Sequence, residues 1–211
     1  MADFKIDLSD LKIRFKEVTT YLPIFLKNPL ESIKRVPNWD WWTIILLEIF
    51  IGAFCGVLSG VFSRHFLAIF GGLILGPIMN LLLAGILSGV MYYACLFVMK
   101  TELEFKKVFT VVVFAGIPAQ LLSIISPIAK PITLICIIIT CLTLVVGFVE
   151  NFLLDKKKMT QIMGVIGGIL IFCWLYSVLM EATSTRIKVQ DYTPESLDQI
   201  HRELNDGLNE K

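Results

Sequence analysis

Glu48 is the residue best placed for chemistry, because it stands inside the long apolar run TIILLEIFIGAFCGVLSGVF. A carboxylate at the middle of a membrane helix costs about 2.5–3.5 kcal/mol on insertion scales, so it normally faces protein rather than lipid. Gly52, Gly56 and Gly60 follow Glu48 in steps of four residues, which is a small-residue stripe typical of closely packed helices. We expect Glu48 to point into a helix bundle, where it either binds a proton, an ion or a lipid headgroup or serves only as a polar packing contact.

Other polar residues in the apolar runs fall at two predicted depths, counted from the ends of each run at about 1.5 Å per residue. The first depth gives a candidate buried polar layer that comprises Glu48, Tyr92, Tyr93 and Thr110. By the same counting, Asn80 and Gln120 form a second polar pair in the opposite half of the membrane. Gly85 and Gly89 precede Tyr93 at the same four-residue spacing and predict a second packing stripe.

Motifs for catalysis or metal binding are missing from the sequence, which has no G-x-S-x-G, no H-E-x-x-H and no phosphate-binding loop. Ser9 and Lys12 form an S-x-x-K, but it lies in a polar leader and is attributed to chance. The cysteines have no metal-type spacing and are interpreted as small packing residues. They are Cys55, Cys95, Cys136, Cys141 and Cys173. The sequence predicts no enzyme and no cofactor, and the net charge of +1 gives no reason to expect a nucleic-acid partner.

Composition places the chain in a membrane. Of 211 residues, 56% are hydrophobic, whereas soluble domains contain about 45–50% apolar residues. The polar residues collect at the two ends and in short gaps, which is typical of a protein that crosses the bilayer several times. PNWDWW holds three of the four tryptophans, and tryptophan favours the membrane–water interface. We interpret Trp39, Trp41 and Trp42 as interface anchors.

The apolar runs predict an all-α, polytopic membrane helix bundle with five transmembrane helices and a short amphipathic helix at each end. The predicted spans are Trp41–Phe62, Pro77–Met99, Val108–Ile125, Pro131–Phe148 and Gln161–Met180. Residues 63–76 are too apolar for a free loop and either lie in the interface, re-enter the membrane or begin the second span early. We divide the chain into an N-terminal segment, 1–40, a membrane domain, 41–182, and a C-terminal tail, 183–211.

Basic residues predict the orientation, because Lys and Arg are retained in short cytoplasmic loops. Thirteen of the 19 Lys and Arg residues lie before the first span, after the second or after the fourth. These segments are therefore predicted to be cytoplasmic, with the C-terminus on the other side.

Both ends of the chain carry weaker signals. Asn28, Pro29 and Glu31 predict a short helix with Asn28 as its N-cap, lying along the membrane. The stretch FKIDL…LKIRF alternates like a strand, although no partner strand is evident. Thr101 and Glu104 have capping-box spacing, which predicts that the third helix starts near Glu102. After the last span, Thr193 and Pro194 predict an amphipathic helix.

The order of these features resembles the Ypt-interacting-protein (Yip-domain) family of five-span membrane proteins. The segment NPLESIKRVPNWDWW precedes the first span, and the run EFKKVFTVVVFAGIPAQLL opens the third. The residues that carry the resemblance are Pro29, Phe105, Lys106, Val108, Phe109 and Pro118. The family usually has a tyrosine–alanine pair shortly before that proline, where this chain has Phe114 and Ala115.

The resemblance covers about residues 20–182 and implies a non-enzymatic scaffold or adaptor that affects membrane organisation or protein traffic. Eukaryotic relatives bind small Rab-type GTPases, while the bacterial role is largely unassigned. Short tails and the missing glycosylation sequon favour a bacterial inner membrane over the ER or Golgi. The expected partners are the lipid bilayer and a membrane or cytoplasmic protein, and a homo-oligomer is a further option. The alternative function is a small transporter or channel subunit that uses the polar layer around Glu48.

Overall fold

The computed structural model of the protein describes residues 8–62, 66–126, 129 and 131–190, and every regular element within these ranges is helical. The helices are α1 (Leu8–Lys27), α2 (Pro29–Ser32), α3 (Trp41–Phe62), α4 (Phe66–Ala94), α5 (Phe105–Ser123), α6 (Ile132–Phe152) and α7 (Lys156–Gln190). A 3₁₀ turn, Ile33–Arg35, follows α2, and a π-helical turn, Cys95–Met99, extends α4. Five of the helices are long and apolar enough to cross a membrane, which confirms the predicted five-span, all-α class.

The first span coincides with its predicted bounds, Trp41–Phe62. The second starts earlier than Pro77, because α4 runs from Phe66 and contains that proline in its interior. Residues 66–76 therefore belong to the second membrane helix, while residues 63–65 lie outside the described part of the chain. The C-terminal helix predicted from Thr193 also lies outside the described residues.

Helix α5 is the most buried of the membrane helices in the compact unit that extends to Gly168. All its residues from Val108 to Ala115 are buried, and it packs against α3, α4 and α6. The first turns of α7 add Met159 and Met163 to the same apolar core. Beyond Gly168 the described chain is the rest of α7, which continues as one helix to Gln190.

Helices α3 and α4 approach so closely that only glycine fits at their crossing. A Cβ added to Gly56 would overlap the backbone of Gly72, and one added to Gly72 would overlap the backbone of Gly56. One turn away, a Cβ on Gly52 would lie 2.8 Å from the Cα of Pro77. Gly52 and Gly56, two of the predicted packing residues, lie at this close approach, and Gly60 on the same stripe is buried.

The second predicted packing stripe is wrong within this chain. A Cβ on Gly85 or Gly89 would meet no atom within 4 Å, so neither glycine marks a close approach to another described helix. The partners of the α3 glycines are instead Gly72 and Gly76, which lie at least nine residues nearer the start of α4. Small-residue spacing permits close packing but does not require it.

The N-terminal segment is helical from Leu8, so the strand-like alternation of LKIRF does not form a strand, and residues 4–7 of FKIDL lie outside the described part of the chain. The apolar residues Val18, Tyr21, Leu22 and Phe25 recur at three- or four-residue intervals, which places them on one face of α1. Val18 and Phe25 on that face are fully buried. The burial of this apolar face stabilises a helix in spite of the short strand-like alternation in the sequence.

The two predicted helix starts have different outcomes. Helix α2 begins at Pro29 as predicted, but the Asn28 side chain makes no capping hydrogen bond. The capping box at Thr101 is wrong, because α5 starts at Phe105 and the Thr101 hydroxyl donates to the carbonyl of Met99. Lys100, in the left-handed conformation, ends the preceding helix at this point and leaves residues 101–104 non-helical.

Candidate functional site

The carboxyl group of Glu48 is fully buried in the bundle and is hydrogen-bonded to α5. Glu48 shares the inner face of α3 with Ile44, Leu47 and Ile51, which are also buried. The Gln120 side-chain amide donates from Nε2 to Oε1 of Glu48 over 2.8 Å. Glu48 therefore faces protein in this structure, and its hydrogen-bond partner is Gln120.

Ring contacts explain why Gln120 lies at the depth of Glu48. Trp41, the first residue of α3, lies 5.4 Å from Phe109 and 6.1 Å from Phe105 between ring centroids, so α3 starts opposite the first two turns of α5 and nearest to Phe109. Gln120 is only four residues further along α5 from this level than Glu48 is along α3, or about 6 Å of rise. A glutamine that leans towards its helix N-terminus spans that offset. Placing Gln120 in the opposite half is wrong, because it assumed that both helices start at one level.

The other members of the predicted polar layer lie nearer the start of α5. Tyr92 packs against Phe105, with ring centroids 5.8 Å apart, and Tyr93 is 57% exposed. Thr110 is buried, but its hydroxyl donates to the carbonyl of Lys106 on its own helix. Depth was counted from Pro77, whereas α4 starts at Phe66, so Tyr92 and Tyr93 lie further along the membrane helix than predicted.

Asn80 lies at the α3–α4 crossing, and the second polar pair is split between two sites. The Nδ2 atom of Asn80 would be 3.1 Å from a Cβ built on Gly52, which lies one turn beyond Glu48 on α3. Gln120 is bonded to Glu48, so the structure gives no Asn80–Gln120 hydrogen bond among the described residues. The polar groups at this depth come from α3, α4 and α5.

Two oxygen atoms of the Glu48–Gln120 pair have no hydrogen-bond partner among the described residues. They are Oε2 of Glu48 and Oε1 of Gln120, and both are buried. A buried polar atom without a partner costs about 1–3 kcal/mol, so these two acceptors are unusual features of an otherwise apolar core.

The predicted tryptophan anchors occupy different environments. Trp39 is half-buried in an aromatic cluster, which we define as Tyr21, Phe25, Trp39 and Phe114. In this cluster the Trp39 ring lies 5.4 Å from Tyr21 and 5.6 Å from Phe114. Trp41 packs on α5 and is 40% exposed, whereas Trp42 is 55% exposed. Trp39 thus joins α1 to α5, and the anchor interpretation fits the exposed Trp42 better.

Phe114 is the centre of this aromatic cluster and is fully buried. It lies 5.1 Å from Phe25 and 5.5 Å from Tyr21 between ring centroids. Burial in the cluster raises the pKa of the Tyr21 phenol, because an apolar environment disfavours the phenolate. Position 114 is therefore occupied by a purely apolar ring that packs against α1.

Asn151 binds the N-terminal segment to the end of α6, a role that the sequence interpretation missed. Its Nδ2 donates to the carbonyls of Ile33, at 2.6 Å, and Gly147, at 2.8 Å, and its Oδ1 accepts from the Val36 N–H. The carbonyl of Asn151 also accepts from Lys107 Nζ over 2.9 Å. Two of its partners, Ile33 and Val36, are more than a hundred residues away in sequence, so no local pattern indicates this role.

The side chain of Ile33 fills the space next to Gly147. A Cβ on Gly147 would lie 3.1 Å from Cγ1 of Ile33 and 2.7 Å from Cγ1 of Val111. Arg14 of α1 forms an ion pair with Asp40, directly before α3. We refer to residues 12–40, which are fixed to the bundle by these contacts, as the N-terminal platform.

The outer surface of the N-terminal platform is exposed and mixed in character. Its exposed charged residues are Lys12, Lys16, Glu17, Lys27, Glu31, Arg35 and Asp40. Between them stand exposed apolar side chains, including Ile13 at 58%, Ile24 at 59% and Leu30 at 54%. Among the residues that the structure describes, no group of three or more His, Cys, Asp or Glu is placed to hold a metal ion.

The fold defines a polytopic helical membrane protein with five spans. The Yip1 domain family model matches residues 25–178, which is most of the chain, and the protein belongs to this family. Neither the curated proteins nor the solved structures include a match to this chain. The matched residues contain α3 to α6, most of α7, and the part of the N-terminal platform that Asn151 binds.

Proposed function

We propose that the protein is a non-enzymatic membrane scaffold, with the N-terminal platform as its docking surface for a protein partner. The observation that carries this proposal is the Asn151 clamp, which fixes residues outside the spans to the membrane bundle. A fixed surface binds a partner without first losing the conformational entropy of a free tail. Exposed charges beside exposed apolar residues suit such docking.

We propose that this docking surface faces the cytoplasm and that the protein lies in a bacterial inner membrane. The support is the distribution of Lys and Arg, which are concentrated before α3, after α4 and after α6. A cytoplasmic position would give the N-terminal platform access to soluble and peripheral proteins of the cell.

Site-specific photo-crosslinking in intact cells tests the docking proposal. A photoreactive amino acid at Glu17, exposed on α1, should give discrete protein adducts. The matched control is Phe97, which is 74% exposed on a membrane helix and should give lipid adducts. Asn151→Ala should reduce the Glu17 adducts by releasing the surface. Equal adducts at Glu17 and Phe97, or adducts indifferent to Asn151→Ala, would contradict the docking role.

A transporter or channel subunit is the second candidate, and the buried Glu48–Gln120 pair favours it. Intramembrane carboxyl groups often mark ion or proton pathways. If the protein is a transporter or channel subunit, proteoliposomes that contain the full chain should show an ion or proton flux, and Glu48→Gln should abolish that flux. Flux that is absent from the wild-type protein leaves the scaffold as the better account.

A further inference from the structure

The hydrogen-bonding groups of Glu48 and Gln120 are complementary in one protonation state only. Gln120 already donates from Nε2 to Oε1 of Glu48. The two atoms left without a partner are Oε2 of Glu48 and Oε1 of Gln120, one from each group. Both are acceptors when the carboxyl is ionised, so neither can satisfy the other.

One added proton removes this mismatch. A protonated carboxyl has an O–H donor and still keeps an acceptor oxygen, and a primary amide has the matching acceptor and donor. With the proton on Oε2, Glu48 donates to Oε1 of Gln120 while Oε1 continues to accept from Nε2. The result is a cyclic acid–amide pair with two hydrogen bonds and no net charge.

We propose that Glu48 and Gln120 form a buried proton-binding site, occupied at neutral pH, that joins α3 to α5 through a neutral acid–amide pair. The ligand is a single proton, taken up on Oε2 of Glu48 from water. Its burial supports this assignment, because Glu48 has no exposed surface at which bulk solvent could hydrogen-bond Oε2 in the folded state.

The charged groups of the neighbouring helices are held elsewhere. On α5, Lys106 lies 3.7 Å from Glu104 and Lys107 donates to the carbonyl of Asn151. On α1, Arg14 pairs with Asp40, while Lys16 and Glu17 are exposed. The second span, Ile69–Met99, contains no Asp, Glu, Lys, Arg or His. The remaining titratable groups of the first two spans are Cys55 on α3, Tyr92 and Tyr93 on α4, and Cys95 in the π-helical turn that extends α4. No described cation is therefore hydrogen-bonded or ion-paired to Glu48 in place of the proton.

Infrared spectroscopy of the full chain in lipid nanodiscs tests the site, because protonated carboxyl groups and carboxylates have separate carbonyl bands. At neutral pH the wild type should show a protonated-carboxyl band that is lost in Glu48→Gln. The matched control is Glu150→Gln, at an exposed glutamate in the last turn of α6, and it should keep the band. Gln120→Leu retains Glu48 but removes the amide, so it should shift the band.

The reciprocal exchange Glu48→Gln with Gln120→Glu is the sharpest variant, since it rebuilds the acid–amide pair with the acid on α5. The exchanged protein should recover both the band and the thermal stability of the wild type. A carboxylate assigned to Glu48 at neutral pH would overturn the proposal. So would a protonated-carboxyl band that appears only after sodium or potassium is removed, because a metal cation would then occupy the site. Neither result depends on the N-terminal platform, so the scaffold proposal is tested separately.

Discussion

The glycine crossing between α3 and α4 predicts a large difference between two chemically identical substitutions. Gly56→Ala places a methyl group where the backbone of Gly72 already lies, whereas Gly85→Ala adds the same methyl group to open space. Both residues are in helix interiors, where alanine is favoured over glycine by about 1 kcal/mol. The two variants therefore share the propensity gain and differ in the steric term.

Overpacking of a close-packed site costs about 1–3 kcal/mol. Because the atoms that a methyl on Gly56 would meet are backbone atoms, no side-chain rotation relieves the overlap, and the upper part of that range applies. After the propensity gain, Gly56→Ala should destabilise the protein by roughly 1–2 kcal/mol. For chains of this size each kcal/mol shifts Tm by about 2–4 °C.

Thermal unfolding of detergent-solubilised protein, followed by tryptophan fluorescence, measures this difference. We expect Gly56→Ala to lower Tm by several degrees and Gly85→Ala to leave it unchanged or slightly raised. Gly72→Ala should behave like Gly56→Ala, because the overlap is reciprocal. Equal Tm values for Gly56→Ala and Gly85→Ala would refute the close crossing.

Three further predictions concern the ends of the membrane helices. Trp39→Ala should destabilise the protein by about 1–3 kcal/mol, because it removes two ring contacts, while Trp42→Ala at the more exposed position should cost less in the same thermal assay. Asp155→Ala should cost about 1 kcal/mol, because the Asp155 carboxylate accepts from the Lys158 N–H at the start of α7; Asp155→Asn should retain most of that stability. A reporter fused at Lys157 should be cytoplasmic and one after Lys211 should not; finding both on one side of the membrane would contradict the orientation.

Sequence periodicity predicted the features that depend on one helix at a time. The first span was placed at its observed bounds, because a run of apolar residues flanked by tryptophans has one interpretation in a bilayer. The glycine stripe after Glu48 correctly indicated the buried face of α3. Each of these signals is carried by residues within a few turns of each other.

Features that depend on the register between helices were not predictable in the same way. Gln120 was assigned to the wrong depth because the sequence does not show which residue of α5 lies level with the first residue of α3. Asn151 was missed because its partners, Ile33 and Val36, are distant in sequence. Gly72 and Gly76 were given no packing role, because the sequence left residues 63–76 open between an interfacial segment, a re-entrant segment and an early start of the second span.

The central claim is that residues before the first span are part of the folded bundle, held there by Asn151. The Val36 amide reports on this directly, since its N–H donates to Oδ1 of Asn151 over 3.2 Å. Hydrogen–deuterium exchange of the full chain in nanodiscs should find this amide protected in the wild type and much less protected in Asn151→Ala. If the Val36 amide of the wild type exchanges as fast as an unstructured amide, the attachment of the N-terminal segment to the bundle through Asn151 is contradicted.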